Sequence, residues 1–147
     1  MKTSIKIKLA KVLSSSLIFF LRKKKFVSTR NDIKWNLNIT EVIDLAIFIF
    51  GRFEPSILNT IKMLSYKKSY DYIDIGANCG AHTMYLAQEF SKSRIFAIEP
   101  TNYSFNKLYK NVEANSNLKK RITIIQAFIS SNKKKPKSVY SSWDLQS

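Results

Sequence analysis

The feature that most constrains this chain is the run Asp74-Ile75-Gly76-Ala77-Asn78-Cys79-Gly80. Tyr72, Ile73 and Ile75 form a short apolar strand that runs into Gly76, and Thr83 to Phe90 carries apolar residues at helical spacing. Strand, glycine turn and helix in direct succession build the corner of an open α/β sheet, where ligands sit at the carboxyl ends of the strands. Gly76 and Gly80 permit positive φ and remove side chains where backbone must approach a ligand, and the following helix opens with amides that lack intrahelical acceptors. A small, partly anionic ligand suits such a corner.

The alternation then continues. Arg94 to Ile98 reads as a second strand, Phe105, Leu108 and Val112 mark one face of a second helix, and Ile122 to Ile125 reads as a buried third strand. Strands alternating with helices imply right-handed crossovers and a parallel sheet. Upstream, Trp35, Leu37 and Ile39 alternate with polar residues, which predicts a short half-buried strand over 34–39. Thr40 offers a hydroxyl cap for a helix that Gly51 ends, and Pro55 opens another helix toward Leu64, followed by a polar connector over 65–69. Beyond Ser130 the chain turns basic through Lys133 to Lys137, with a further short strand around Val139 and Tyr140.

The N-terminus resembles a targeting segment, since Lys2, Lys6, Lys8 and Lys11 precede the apolar stretch from Val12 to Leu21. That stretch falls short of the roughly 20 apolar residues a helical span needs. Arg22, Lys23, Lys24 and Lys25 follow where a signal peptide requires small residues, so no export is expected. Ile5, Leu9, Val12, Leu13, Leu17, Phe20 and Leu21 recur at helical spacing, which predicts a basic amphipathic helix. It can pack on its own or a partner domain, the reading we prefer, or lie as a peripheral contact on an anionic membrane. Ser28 to Asp32 reads as the connector from that helix to a body beginning near Ile33.

The formal net charge is +15, which raises binding to nucleic acid or anionic membrane. The lysines are spread along the chain among many Asn, Ile and Ser, so compositional bias accounts for them better than a nucleic-acid footprint, and no specific nucleic-acid partner is expected. Cys79 is the one cysteine, which excludes an intrachain disulfide and suits a reducing, cytoplasmic setting. With His82 the one histidine, no metal site is expected.

Spacing discriminates among glycine loops. A dinucleotide G-x-G-x-x-G starting at Gly76 needs glycine at positions 78 and 81, which hold Asn78 and Ala81, and a phosphate loop needs Gly-Lys where Ala81 and His82 stand. Both fail. Glu99 lies nineteen residues after Gly80, at the end of the second strand, where a carboxylate can accept hydrogen bonds from both hydroxyls of a ribose. The pairing points to an adenosine-type ligand.

The stretch Tyr72-Ile-Asp-Ile-Gly-Ala-Asn-Cys-Gly-Ala-His-Thr-Met-Tyr-Leu-Ala, followed by Ala97-Ile-Glu-Pro-Thr, resembles the FkbM family of methyltransferases. Asp44, the segment Gly51-Arg-Phe-Glu-Pro and the downstream Phe105, Leu108 and Asn111 extend the likeness over about residues 40–130. The resemblance implies the Rossmann-like α/β fold of class I enzymes, with S-adenosylmethionine as cofactor and O-methylation of a small molecule or glycan as activity. It implies that Asp74, Gly76, Ala77, Asn78 and Gly80 surround the methionyl portion, that Glu99 holds the ribose, and that Gln126 and Ala127 border the adenine.

The family's sheet has seven strands, whereas this sequence supplies three clear ones. The chain is therefore expected to be a C-terminally truncated member, with the first half of the parallel sheet, flanking helices, and weak or no catalysis alone. The organisation expected is a basic helix and connector over 1–32, then the N-terminal part of a methyltransferase domain over 33–147 with its cofactor-binding core at 70–130.

No catalytic residue is named by the sequence. Cys79 lacks an evident base partner and reads as packing. His82, just inside the first helix, suits either a substrate contact or base or a residue that shapes the pocket. Glu54, which the resemblance places near the cofactor mouth, ranks below Glu99 and also suits a helix start. Two other functions stay open: a non-catalytic basic module that binds anionic membrane or nucleic acid, and, more distantly, a nicotinamide oxidoreductase.

Overall fold

The computed structural model describes residues 3–65 and 70–131. The strand foreseen around Val139 and Tyr140, the basic run 133–137 and most of the 65–69 connector lie outside these residues. The chain divides into two compact units, the first running to Phe53 and the second beginning at Glu54.

The first unit contains α1 (Thr3–Leu21), β1 (Lys25–Arg30), β2 (Ile33–Asn38) and α2 (Val42–Phe50). β1 and β2 pair antiparallel from Lys25↔Asn38 to Arg30↔Ile33. The segment 28–32, expected as a connector, is instead the end of β1 and its turn. Asn31 and Asp32 take φ of 49° and 61°, the two positive values a type I′ hairpin needs, and their short polar side chains tolerate that backbone. Phe26, Ser28 and Arg30 are half-buried while their neighbours are exposed, and the inward Arg30 is satisfied by the Phe48 carbonyl at 2.8 Å and the Ser28 hydroxyl at 2.7 Å.

Ala10, Leu17 and Ile18 of α1 pack with Phe26, Val42 and Phe48 against Ile39 and Leu45, and buried Ser14 donates to the Ile39 carbonyl at 2.7 Å. The cap of α2 is Glu41 rather than Thr40, whose hydroxyl donates to Asn38 Oδ1 at 2.9 Å. Asn38 also donates its amide to Asp44 Oδ2 at 2.6 Å and its Nδ2 to Glu41 Oε1 at 2.8 Å. Asn38, Thr40, Glu41 and Asp44 are all buried, so these bonds satisfy groups that would otherwise be costly to desolvate. Gly51 closes α2 at φ 74°, and a Cβ there would stand 2.9 Å from Asn31 Nδ2.

The second unit holds α3 (Pro55–Leu64), β3 (Tyr72–Ile75), α4 (Ala81–Glu89), β4 (Ile95–Ile98), α5 (Asn102–Glu113), α6 (Ser116–Lys119) and β5 (Ile122–Ile125). Its three strands run parallel in the order β3-β4-β5, as the alternation predicts. Tyr72, Asp74, Ile95, Ala97, Ile122 and Ile124 share the face that α4 covers, and Ile95 and Ala97 at the centre are fully buried. On the other face Ile73, Ile75 and Ile125 are exposed and Phe96 and Ile98 half-buried. The isoleucines of β5 predict a buried strand. Among the described residues it is an edge strand that alternates half-buried with exposed positions, and its isoleucine content reflects one covered face rather than two.

Candidate functional site

The register of the sheet assembles the site. Ile75 pairs with Ile98 and Ile98 with Ile125, so the next residues, Gly76, Glu99 and Gln126, come side by side at the carboxyl edge. The Ile98 carbonyl accepts the amides of both Gly76 at 2.8 Å and Ala77 at 3.0 Å, and the Glu99 amide donates to the Ile125 carbonyl at 3.1 Å. The chain therefore leaves β3 sharply and turns over the end of β4.

Glu99 organises the turn. Its Oε2 accepts the Asn78 amide at 3.0 Å, and its Oε1 accepts the Thr101 amide at 2.9 Å and hydroxyl at 2.6 Å. Glu99 is 5% exposed. A carboxylate has about four acceptor positions, so these three bonds orient it and leave capacity for a further donor. Asn78 sits at φ 50°, a left-handed conformation that asparagine tolerates, and its amide is held by Glu99.

The two loop glycines serve different ends. A Cβ on Gly76 (φ 79°) would meet no atom of the described residues within 4 Å, so among them Gly76 borders open space at the strand end that also carries Glu99. A Cβ on Gly80 (φ 88°) would stand 2.8 Å from Leu108 Cδ1, so Gly80 exists for the approach of α5. The buried Asn111 of α5 donates to the Cys79 carbonyl at 2.8 Å and fixes the loop from below. Cys79 itself is a buried free thiol.

Asp74 accepts the Thr83 hydroxyl, which ties the last turn of β3 to the first turn of α4. Gln126 donates to Asn102 Oδ1 at the start of α5, and Ala127 beside it is half-buried. His82 Nε2 stands 3.6 Å from Glu54 Oε2. Glu54 precedes α3 at φ 44° and its side chain makes no cap bond, so it faces the imidazole rather than its own helix amides. Sequence reasoning missed Thr83 and Thr101 as supports of the two carboxylates. Their signal is a hydroxyl at the start of each helix that follows a strand-end acid, Thr83 in the first turn of α4 and Thr101 at the N-cap of α5.

No family model and no curated protein matches the chain. Solved structures do. The human methyltransferase 10 domain containing protein superposes with a TM-score of 0.51 at 19% identity, over 80% of this chain and 53% of that one. The N-terminal domain of human METTL16, crystallised in complex with SAH, gives 0.50 at 18% identity over 82% and 43%, and a putative transferase from Pyrococcus horikoshii gives 0.50 at 18% over 80% and 47%. The fold is the Rossmann-like fold of class I methyltransferases. The chain spans about half the length of these structures.

Proposed function

We propose that this chain forms the S-adenosylmethionine-binding half of a methyltransferase of FkbM type that methylates an oxygen of a small molecule or glycan. The observation that carries the reading is the juxtaposition of Glu99 with the open space over Gly76, at the carboxyl edge of the sheet. The residues present fit the cofactor. Glu99, already oriented by three donors, is the acceptor for the ribose hydroxyls. Gly76, Ala77, Asn78 and Gly80 supply a side-chain-poor backbone for the methionyl portion, and Gln126 and Ala127 flank the place for the adenine. Asp74 Oδ1, which no donor among the described residues engages, is the acceptor available to an α-ammonium.

When bound, the cofactor supplies a methyl group made electrophilic by its sulfonium. The residues of the chain bind, orient and desolvate, so that an incoming oxygen lines up with that methyl. The His82–Glu54 pair, on the first turn of α4 and at the start of α3, is the base candidate on this part of the fold, because a carboxylate 3.6 Å from Nε2 orients the ring beside the loop. A cytoplasmic setting belongs to this reading, as the chemistry needs cellular S-adenosylmethionine.

Calorimetric titration of S-adenosylhomocysteine into the full chain tests the proposal. Binding is expected, and Glu99→Ala weakens it by about tenfold to a hundredfold, the worth of hydrogen bonds to a charged acceptor. A folded wild-type chain that does not bind, or a Glu99→Ala chain that binds like wild type, overturns it.

A further inference from the structure

Helix α1 carries two apolar faces, and only one of them is used. Ser14, buried at 1% exposure, lies in the middle of the packed face with Ala10, Leu17 and Ile18. At about 100° per residue, Ile5, Leu9, Val12, Leu13, Phe19 and Phe20 follow one another around the opposite side, within an arc of about 120° interrupted by Ser16 alone. All six are exposed, Val12 at 63%, Phe19 at 77% and Phe20 at 79%. Of the seven apolar positions that the sequence places on one amphipathic stripe, Ile5, Leu9, Val12, Leu13 and Phe20 lie on this outward side, while Leu17 turns to the core and Leu21 falls on the packed side by helical angle.

The surroundings of the arc are uniformly basic. Lys8 borders it on one side and Lys6 on the other, and exposed Lys23, Lys24 and Lys25 follow the end that carries Phe19 and Phe20. No acidic residue precedes Asp32. No described helix is long and apolar enough to cross a membrane, so α1 has the character of an interfacial helix rather than a span.

We propose that the outer face of α1 docks on an anionic lipid bilayer, with Phe19, Phe20, Val12 and Leu9 entering the headgroup boundary and the lysines meeting acidic headgroups. Charge complementarity selects this occupant. A second copy of the chain, seated helix on helix, would bring its own Lys6 and Lys8 to the seam, and α1 carries no acidic residue to meet them. A nucleic acid would satisfy the lysines but offers little to the aliphatic Ile5, Leu9 and Val12. The packed face, held by Ser14 and the cluster around Ile39, keeps α1 fixed on its unit while the outer face is engaged. This surface is independent of the cofactor reading.

The test is flotation of the full chain with phosphatidylcholine vesicles, with and without phosphatidylserine. Binding is expected on the phosphatidylserine vesicles and falls with added salt. The double variant Phe19→Ser/Phe20→Ser, both side chains lying outside the packed core, weakens binding by about tenfold or more with an unchanged thermal transition. Lys23→Glu/Lys24→Glu gives a loss of about tenfold on the same vesicles. The idea is overturned by a folded chain that does not float, or by a Phe variant that binds as wild type, which makes the attachment a polycation effect. It is equally overturned by a wild-type dimer that the Phe variant dissociates, or by Phe-dependent binding to single-stranded RNA in place of vesicles.

Discussion

Two carboxylates in this molecule do the same local chemistry in opposite settings. Asp44, in the first unit, accepts the Asn38 amide inside a cluster whose members are all buried, and is itself 0% exposed. Glu99, in the second unit, accepts the amides of Asn78 and Thr101, but beside it the space over Gly76 is open. The first arrangement closes a helix start onto a strand. The second orients an acceptor at the strand end next to Gly76, whose Cβ position is open among the described residues. An acid that receives backbone amides is therefore no mark of a site by itself; the space beside it is what separates structure from function.

The comparison extends into the glycine loop, where the largest effect is expected. Gly80→Ala adds a Cβ at φ 88° into Leu108 and should cost about 3 kcal/mol in urea unfolding, strain plus overpacking. Gly76→Ala meets no atom and should cost only the backbone strain, about 1–2 kcal/mol. Equal costs at the two positions would show that the space over Gly76 is closed in solution.

Asp44→Ala removes the acceptor of a buried amide and should lower stability by about 2 kcal/mol, while S-adenosylhomocysteine binding stays at the wild-type value. Chemical denaturation and calorimetry read the two halves of this expectation. If ligand affinity falls with it by more than the change in folded fraction, the division between a closed and an open carboxylate is broken.

The smallest effect belongs to a third acid at the opposite end of the sheet. Asp71, before β3, accepts the amide and guanidinium of Arg94, before β4, and these bonds hold its pKa below the ordinary carboxylate value. A depressed folded pKa contributes stability that is present above the unfolded value and is lost as pH falls through the folded one. Because both groups are exposed, the contribution is small and screened by salt. Asp71→Asn should lower the thermal midpoint slightly at neutral pH and low salt, and the difference from wild type should begin to shrink as pH falls below about 4, vanish below the depressed folded pKa, and fade at high salt.

Local pattern carried most of the second unit. The run from Tyr72 to Gly80, the strand before Glu99, and the face marked by Phe105, Leu108 and Val112 each stand within a residue or two of where periodicity puts them. It failed where the partner decides the outcome. The hairpin at Asn31-Asp32 resembles a connector because Ser28 and Arg30, on the inward face of β1, break the apolar alternation that marks a strand, and β5 resembles a buried strand because isoleucine does not reveal how many of its faces are covered. Thr40 has the chemistry of a cap, yet Asn38 takes its hydroxyl and Glu41 occupies the cap position.

The sequence by itself determined the succession of strand, glycine loop and helix and the placement of an acid at the next strand end, since these depend on residues close in the chain and on backbone preferences that glycine, proline and periodic apolar positions impose. Only the tertiary structure decided which side of α1 is packed, that Glu54 turns to His82 instead of its own helix, and that Gly76 borders open space while Gly80 borders Leu108. Those choices depend on which distant surfaces meet, and a side chain's local propensity is the same whether its neighbour is a packed leucine or a void.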